Sequence, residues 1–135
     1  MRIRACSNPK DLSIKKICDT CGNDTVKKCF GFFSVMNYRN KDKYLSYVFD
    51  EKAFYVAMEG KDHIRLIAIA VDKESQGRGL GKMALNHLKQ LARLKGKHKI
   101  TLKTEMDKPA FEWWLKQGAR VVKKNNSEVE MEIVL

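Results

Sequence analysis

Ile69-Ala70-Val71-Asp72-Lys73-Glu74-Ser75-Gln76-Gly77-Arg78-Gly79-Leu80-Gly81-Lys82 leads from the end of an apolar segment, through a glycine-rich loop, into a strongly patterned helix. Before the loop, residues 63–71 are a long apolar run that reads as a strand buried on both faces. After it, Leu80, Met83, Ala84, His87, Leu88, Leu91 and Ala92 fall on one helical stripe, which Gly96 is placed to end. Strand, loop and helix in that order leave the first backbone N–H groups of the helix without intrahelical partners. The helix dipole adds partial positive charge there, and glycines let the backbone approach a ligand closely. Such a terminus suits a phosphate or pyrophosphate, and Arg78 and Lys82 add full charges to it. Gly77-x-Gly79-x-Gly81 matches neither the dinucleotide fingerprint nor the P-loop.

On the N-terminal side, Tyr44-Leu45-Ser46-Tyr47-Val48-Phe49 and Ala53-Phe54-Tyr55-Val56-Ala57-Met58 are rich in strand formers. Asp50-Glu51-Lys52 and Gly60-Lys61-Asp62 supply turns, so these two segments and residues 63–71 form an antiparallel meander. Ile3 and Ala5 fit a short first strand, and Ser7 or Asn8 fits the cap of a helix over residues 9–17. Val26, Phe30, Phe33 and Asn37 have helical spacing that Gly31 weakens. On the C-terminal side, Ile100, Leu102 and Thr104 alternate with Thr101 and Lys103 as in a strand. Asp107 fits the cap of a helix that opens at Pro109 and ends at Gly118. A closing hairpin turns through Lys124-Asn125-Asn126-Ser127, with Glu128, Glu130 and Glu132 on one face and Val129, Met131 and Ile133 on the other. The whole is an α/β chain.

The length, 135 residues, suits a single domain over residues 1–135, and a hydrophobic share of 44% favours a folded core. The net charge is +11, from 27 Lys+Arg against 16 Asp+Glu, which favours anionic partners. Residues 78–99 hold Arg78, Lys82, Lys89, Arg93, Lys95, Lys97 and Lys99 and no acid. A basic nucleic-acid- or RNP-binding module is therefore one reading, although no aromatic residues interleave with the cations as a base-stacking platform. No apolar run approaches the ~20 residues of a membrane span, and no signal-peptide core follows Met1, so a cytoplasmic location is expected. Cys6, Cys18, Cys21 and Cys29 then read as thiols. Cys18-x-x-Cys21 with Cys6 and Cys29 would make a four-thiolate zinc set, but the spacing fits no zinc pattern and no metal is expected.

Gln76-x-x-Gly79-x-Gly81, behind the strand ending Ile69-Ala70-Val71, resembles the acyl-CoA-binding motif [RQ]-x-x-G-x-[GA] of the GNAT superfamily of N-acetyltransferases. Residues 107–119, Asp107-Lys108-Pro109-Ala110-Phe111-Glu112-Trp113-Trp114-Leu115-Lys116-Gln117-Gly118-Ala119, are similar to that family's N-x-x-A-x-x-[FL]-Y-E-K-x-G-F segment. The resemblance covers roughly residues 54–122. It implies a mixed, mostly antiparallel sheet with flanking helices, whose two central strands splay in a V. It also implies acetyl-CoA as co-substrate. The pantetheine arm would lie between the splayed strands, on the backbone of Ile69, Ala70 and Val71. The pyrophosphate would sit on Gly77, Arg78, Gly79, Leu80, Gly81 and Lys82, with Gln76, Asp107 and Trp114 completing the cofactor set. The thioester would reach the open end of the V, where an amine attacks it directly, without metal or covalent intermediate.

Three positions depart from the motif: Asp107 replaces its Asn, Ala119 its Phe, and Trp114 the Tyr that protonates the leaving thiolate. An indole N–H is no such acid. Residues 63–71 hold no carboxylate, which leaves Glu105 and His63 as candidate bases, the imidazole titrating near neutrality. The resemblance leaves the acceptor to the N-terminal helices and loops: a peptide amine, a lysine, a small amine or a tRNA-linked amine all remain open. The basic surface points to an acceptor on an acidic or nucleic-acid-associated partner.

Overall fold

Among the described residues, alternating apolar residues build seven strands, and three amphipathic segments build helices. The computed structural model describes residues 1–6, 12–21, 44–107 and 109–135. In chain order the elements are β1 (Ile3–Ala5), α1 (Leu12–Thr20), β2 (Tyr44–Phe49), β3 (Ala53–Glu59), β4 (His63–Val71), α2 (Leu80–Leu94), β5 (Lys99–Glu105), α3 (Pro109–Lys116), β6 (Arg120–Asn125) and β7 (Glu128–Val134). One sheet holds all seven strands in the order β1-β2-β3-β4-β5-β7-β6. Every neighbouring pair is antiparallel except the central β4–β5 pair, which is parallel.

The expected meander, first strand and closing hairpin are all present. Helix α1 runs on to Thr20, three residues beyond the expected end at Ile17, and the turn of the hairpin is confined to Asn126-Ser127, with Asn126 at φ +56°. The proposed caps Ser7 and Asn8, the spacing over residues 26–37 and Cys29 lie outside the described residues.

Two cores sandwich the sheet. Ile14, Ile17 and Cys18 of α1 pack with Val48, Phe54, Val56, Ala68 and Ala70. On the other face, Leu80, Ala84, Leu85, Leu88 and Ala92 of α2 and Trp114 of α3 pack with Tyr55, Ile64, Leu66, Ile100, Leu102 and Met131. The α2 stripe is rotated from the expected one: Leu85 is buried, and Met83 is 45% exposed.

Strand β4 does not bury all its residues. Its even-numbered members from Ile64 to Ala70 are buried and the odd-numbered ones half-buried. Val56 pairs with Ala68 and Ala57 with Leu66, so Ile67 is an inserted residue, a β-bulge. The bulge exchanges the faces of the strand. Ile64 and Leu66 point to α2, whereas Ala68 and Ala70 point to α1 and Ile69 and Val71 take over the α2 side.

Strand β6 is the sheet edge and is exposed at all six positions. Val122 has no pairing partner in the register with β7, and Lys123 and Lys124 follow it. A bulge and lysines are common devices against edge-to-edge pairing. Glu132 shares the polar face of β7 but is buried, contrary to the simple two-faced pattern. The Arg120 guanidinium grips it at 2.5 and 3.0 Å, and with Lys99 nearby holds its carboxyl below the usual range.

Half-buried His87 of α2 packs against Tyr47 and Phe49, with its Nδ1 2.8 Å from the Tyr55 hydroxyl. Burial lowers the imidazole pKa and, with Tyr47 beside it, raises that of the Tyr55 phenol. The phenol therefore donates to a neutral ring. In the unfolded chain His87 takes up a proton near pH ~6.5, which the folded state resists. Stability from this group is thus present above that pH and lost as pH falls through it. Thermal unfolding should give a lower Tm at about pH 5.5 than at about pH 7.5, and His87→Phe should flatten that slope. An unchanged slope would remove His87 as its source.

Candidate active site

Strands β4 and β5 pair at only three positions, His63↔Lys99, Ile64↔Ile100 and Arg65↔Thr101. Beyond Arg65, β4 continues to Val71, roughly 20 Å at ~3.3 Å per residue, without β5 beside it. The strands therefore splay in a V that is closed at Arg65 and Thr101 and open towards Val71 and Glu105. Backbone donors and acceptors along the facing edges are left for another partner, since such groups are seldom left unpaired when buried.

At the open end the loop is pinned from below. Buried Asp72 donates its N–H to Lys52 O (2.7 Å) and accepts the Glu74 N–H on Oδ1 (2.9 Å), which caps a short turn over Lys73–Ser75. The Gln76 amide nitrogen donates to Val71 O (3.0 Å) and to Cys21 O (2.8 Å). The loop is thus tied both to the end of β4 and to the residue following α1. Gly77 and Gly79 adopt φ +83° and +82°, in the left-handed region that favours glycine. Gly79 caps α2, no side chain covers that terminus, and the first turn carries no acid. Exposed Arg78 and Lys82 flank it and have no ion-pair partner among the described residues. The arrangement has unfilled N–H donors, the positive end of a dipole and two exposed cations beside it.

Helix α3 closes the other side of the mouth. A Cβ on Gly81 would stand 3.5 Å from the Trp113 ring and 3.6 Å from Val71 Cγ2, so α3 and α2 meet there. Trp113, one residue before the expected Trp114, makes this contact. Trp114 is buried in the α2-side core, with its ring edge-on to Trp113 at 4.8 Å. The doubled tryptophan is the signal for such a contact, but only packing decides which ring faces the loop. Asp107 is exposed in the turn after β5. The end of β4 at Ile69, Ala70 and Val71 and the segment from Gln76 to Lys82 lie together, joined by Gln76 on Val71 O and by the close approach of Gly81 to Val71.

The two candidate bases lie far apart. His63 is at the closed end, eight residues or roughly 26 Å of strand from Val71. Its Nδ1 is 2.8 Å from Asp62 Oδ1, which lowers the Asp62 pKa, and a Cβ on Gly60 would lie 2.6 Å from its ring. It packs into the β3–β4 turn rather than joining the loop. Glu105 is at the open end, half-buried, directly across from Glu128. Of the β7 carboxylates near the fork, Glu132 stands opposite Thr101 and is held by Arg120 and Lys99, and Glu130 is 3.8 Å from both Arg65 and Lys103. It stands opposite Lys103 in the β5–β7 register, a placement that the hairpin sequence alone does not disclose.

The basic run separates into two groups. Lys97 pairs with Glu59 (3.3 Å) and donates to Gly60 O (2.8 Å) and Lys61 O (3.1 Å). Lys95 also reaches Glu59, and Lys99 reaches Glu132. Those three cations fasten the β3–β4 turn and β7. Cys18 and Cys21 are buried and Cys6 half-buried in the α1-side core. Among the described residues no group of His, Cys, Asp or Glu side chains is placed to hold a metal, and no helix is long and apolar enough to cross a membrane.

The forked sheet thus opens onto an uncapped, cation-flanked helix start. The Acetyltransferase (GNAT) family matches residues 26–119, well over half the chain, and the chain belongs to that family. Its fold is similar to that of the PaiA N-acetyltransferase from Thermoplasma acidophilum in complex with coenzyme A, with TM-score 0.79, 16% identity and 100% of each chain covered. It is also similar to the ribosomal-protein-S18-alanine N-acetyltransferase from Escherichia coli, with TM-score 0.77, 16% identity, and 98% of this chain and 92% of that one covered. Ard1 from Thermoplasma volcanium gives TM-score 0.76 at 16% identity, over 99% and 97% of the two chains. No curated protein sequence matches the chain.

Proposed function

We propose that this chain is an N-acetyltransferase of a single domain, residues 1–135, acting in the cytoplasm, which moves the acetyl group of acetyl-CoA to an amine by direct attack. The observation that carries the reading is the V between β4 and β5, opening onto the glycine loop and the uncapped start of α2. In this reading the backbone of Gly77, Arg78, Gly79, Leu80, Gly81 and Lys82 holds the pyrophosphate. The free edge at Ile69, Ala70 and Val71 holds the pantetheine arm, and Trp113 walls it.

The loop is at the open end, so the opposite end of the arm lies deeper. The thioester then sits towards the closed end at Arg65 and Thr101, not at the open end that the family resemblance implies. An amine nitrogen attacks the carbonyl carbon, the C–S bond breaks, and the sulfur leaves as thiolate. Glu130 is the carboxylate placed to take the ammonium proton through water, ahead of His63 and Glu105. Buried Trp114 supplies no acid, so solvent protonates the thiolate. The acceptor is an amine, carried in this reading by an acidic or nucleic-acid-associated partner that the remaining cations attract.

Calorimetry with acetyl-CoA should show saturable one-site binding. Absence of heat at millimolar acetyl-CoA would overturn the reading.

A further inference from the structure

The outer face of α2 carries charge that the proposed site does not use. Lys82, Asn86, Lys89 and Arg93 follow one another at the three- and four-residue steps of neighbours on one helix face. At ~1.5 Å per residue the row runs roughly 16 Å from the start of α2 towards its end. Elsewhere the chain pairs its cations: Lys95 and Lys97 with Glu59, Lys99 with Glu132, and Lys103 with Glu128 and Glu130. Lys82, Lys89 and Arg93 have no ion-pair partner among the described residues, and α2 contains no acid. Lys89 and Arg93 are like charges four residues apart, a spacing that costs a helix stability.

A second row lies beside the first. Met83, Gln90 and Leu94 share a neighbouring line of the helix, with Met83 45% and Leu94 85% exposed at its two ends. A cationic row beside a partly apolar one matches a helix with acids along one line and apolar residues along the next. A nucleic acid would satisfy the cations but leave Met83 and Leu94 in water. Nor does α2 offer a Phe, Tyr or Trp on which a base could stack.

We propose that the outer face of α2 is a docking surface for an acidic amphipathic helix of a partner protein. Carboxylates of the partner pair with Lys82, Lys89 and Arg93, and its apolar side chains cover Met83 and Leu94. This names a partner class for the cations that the acetyltransferase reading leaves over, and the surface itself does not depend on acetyl-CoA.

The probe is a labelled synthetic helix of about 18 residues, with glutamates along one line and leucines along the next, read by fluorescence anisotropy. The wild type should bind it saturably, and a peptide of the same composition in scrambled order about fivefold more weakly or worse. Lys89→Gln combined with Arg93→Gln should weaken binding by about fivefold or more. Leu94→Ser should weaken it by about two- to threefold. Lys123→Gln combined with Lys124→Gln removes the same charge from exposed positions on β6 and should leave the affinity unchanged. An equal loss in the β6 variant would assign the binding to net charge and overturn the surface. Unchanged affinity in either α2 variant, or no binding by the wild type at roughly 100 µM peptide, would overturn it as well. Tighter binding of a duplex RNA than of the peptide would overturn it in favour of a nucleic acid. Acetyl-CoA binding, followed separately by calorimetry, should be the same in all these variants. Its absence from the wild type would strike the acetyltransferase reading and leave the docking surface standing.

Discussion

Gly79→Asp is expected to weaken acetyl-CoA binding by about 100-fold or more, read by calorimetry. The residue caps α2 at φ +82°, with no side chain over the terminus. Aspartate there places a carboxylate on the N–H groups that the pyrophosphate is proposed to use, and it repels the phosphates. A Cβ meets nothing within 4 Å, so the loss comes from charge and backbone conformation, not from a clash. Gly79→Ala separates the two causes. It bears the conformational cost of roughly 1–2 kcal/mol in folding stability but should keep most of the affinity. Binding by Gly79→Asp at the wild-type level would show that the phosphates lie elsewhere.

Leu88→Ala is expected to cost about 2–5 kcal/mol of folding stability, measured by denaturant unfolding. Leu88 has no exposed surface and lies between α2 and the sheet, in the core shared with Tyr55, Ile64 and Leu85. Small domains are stable by only about 5–15 kcal/mol, so this one side chain holds a large share. The same side chain seats the helix whose first turn forms the mouth of the V. At low temperature, where the variant stays folded, acetyl-CoA affinity should fall by less than for Gly79→Asp. A stability loss under about 1 kcal/mol would mean that the cavity collapses without cost.

The loop and its helix were legible in the sequence because their signals are local. Three glycines, a cap position and a stripe of apolar residues lie within 24 residues, from Asp72 to Lys95. The hairpins were legible for the same reason. What escaped depends on contacts between distant segments. The shift of the α2 stripe from Met83 to Leu85 follows from how the helix rolls on the sheet. Whether Trp113 or Trp114 faces the loop depends on α3 docking against Gly81. The placement of Glu130 beside Arg65 needs the order β4-β5-β7, in which the last strand lies inside the last-but-one. The acid-free run from Arg78 to Lys99 looked like one surface, yet Lys95, Lys97 and Lys99 turn to Glu59 and Glu132, which lie 36 and 33 residues from the lysines they meet at Lys95 and Lys99. His63 drew notice by its chemistry, and the fold seats it in a turn.

The bulge at Ile67 has a consequence for how the V stays open. A strand that loses its neighbour on one edge has reason to bend and fray. Here the inserted residue makes the free half of β4 lean on both layers at once, through Ala68 and Ala70 on α1 and through Ile69 and Val71 on α2 and its surroundings. The half of β4 beyond Arg65 is therefore supported by side chains on both of its faces. Under the proposed reading, an arm entering there meets a strand already packed on both faces, and less of its binding energy goes into ordering the protein.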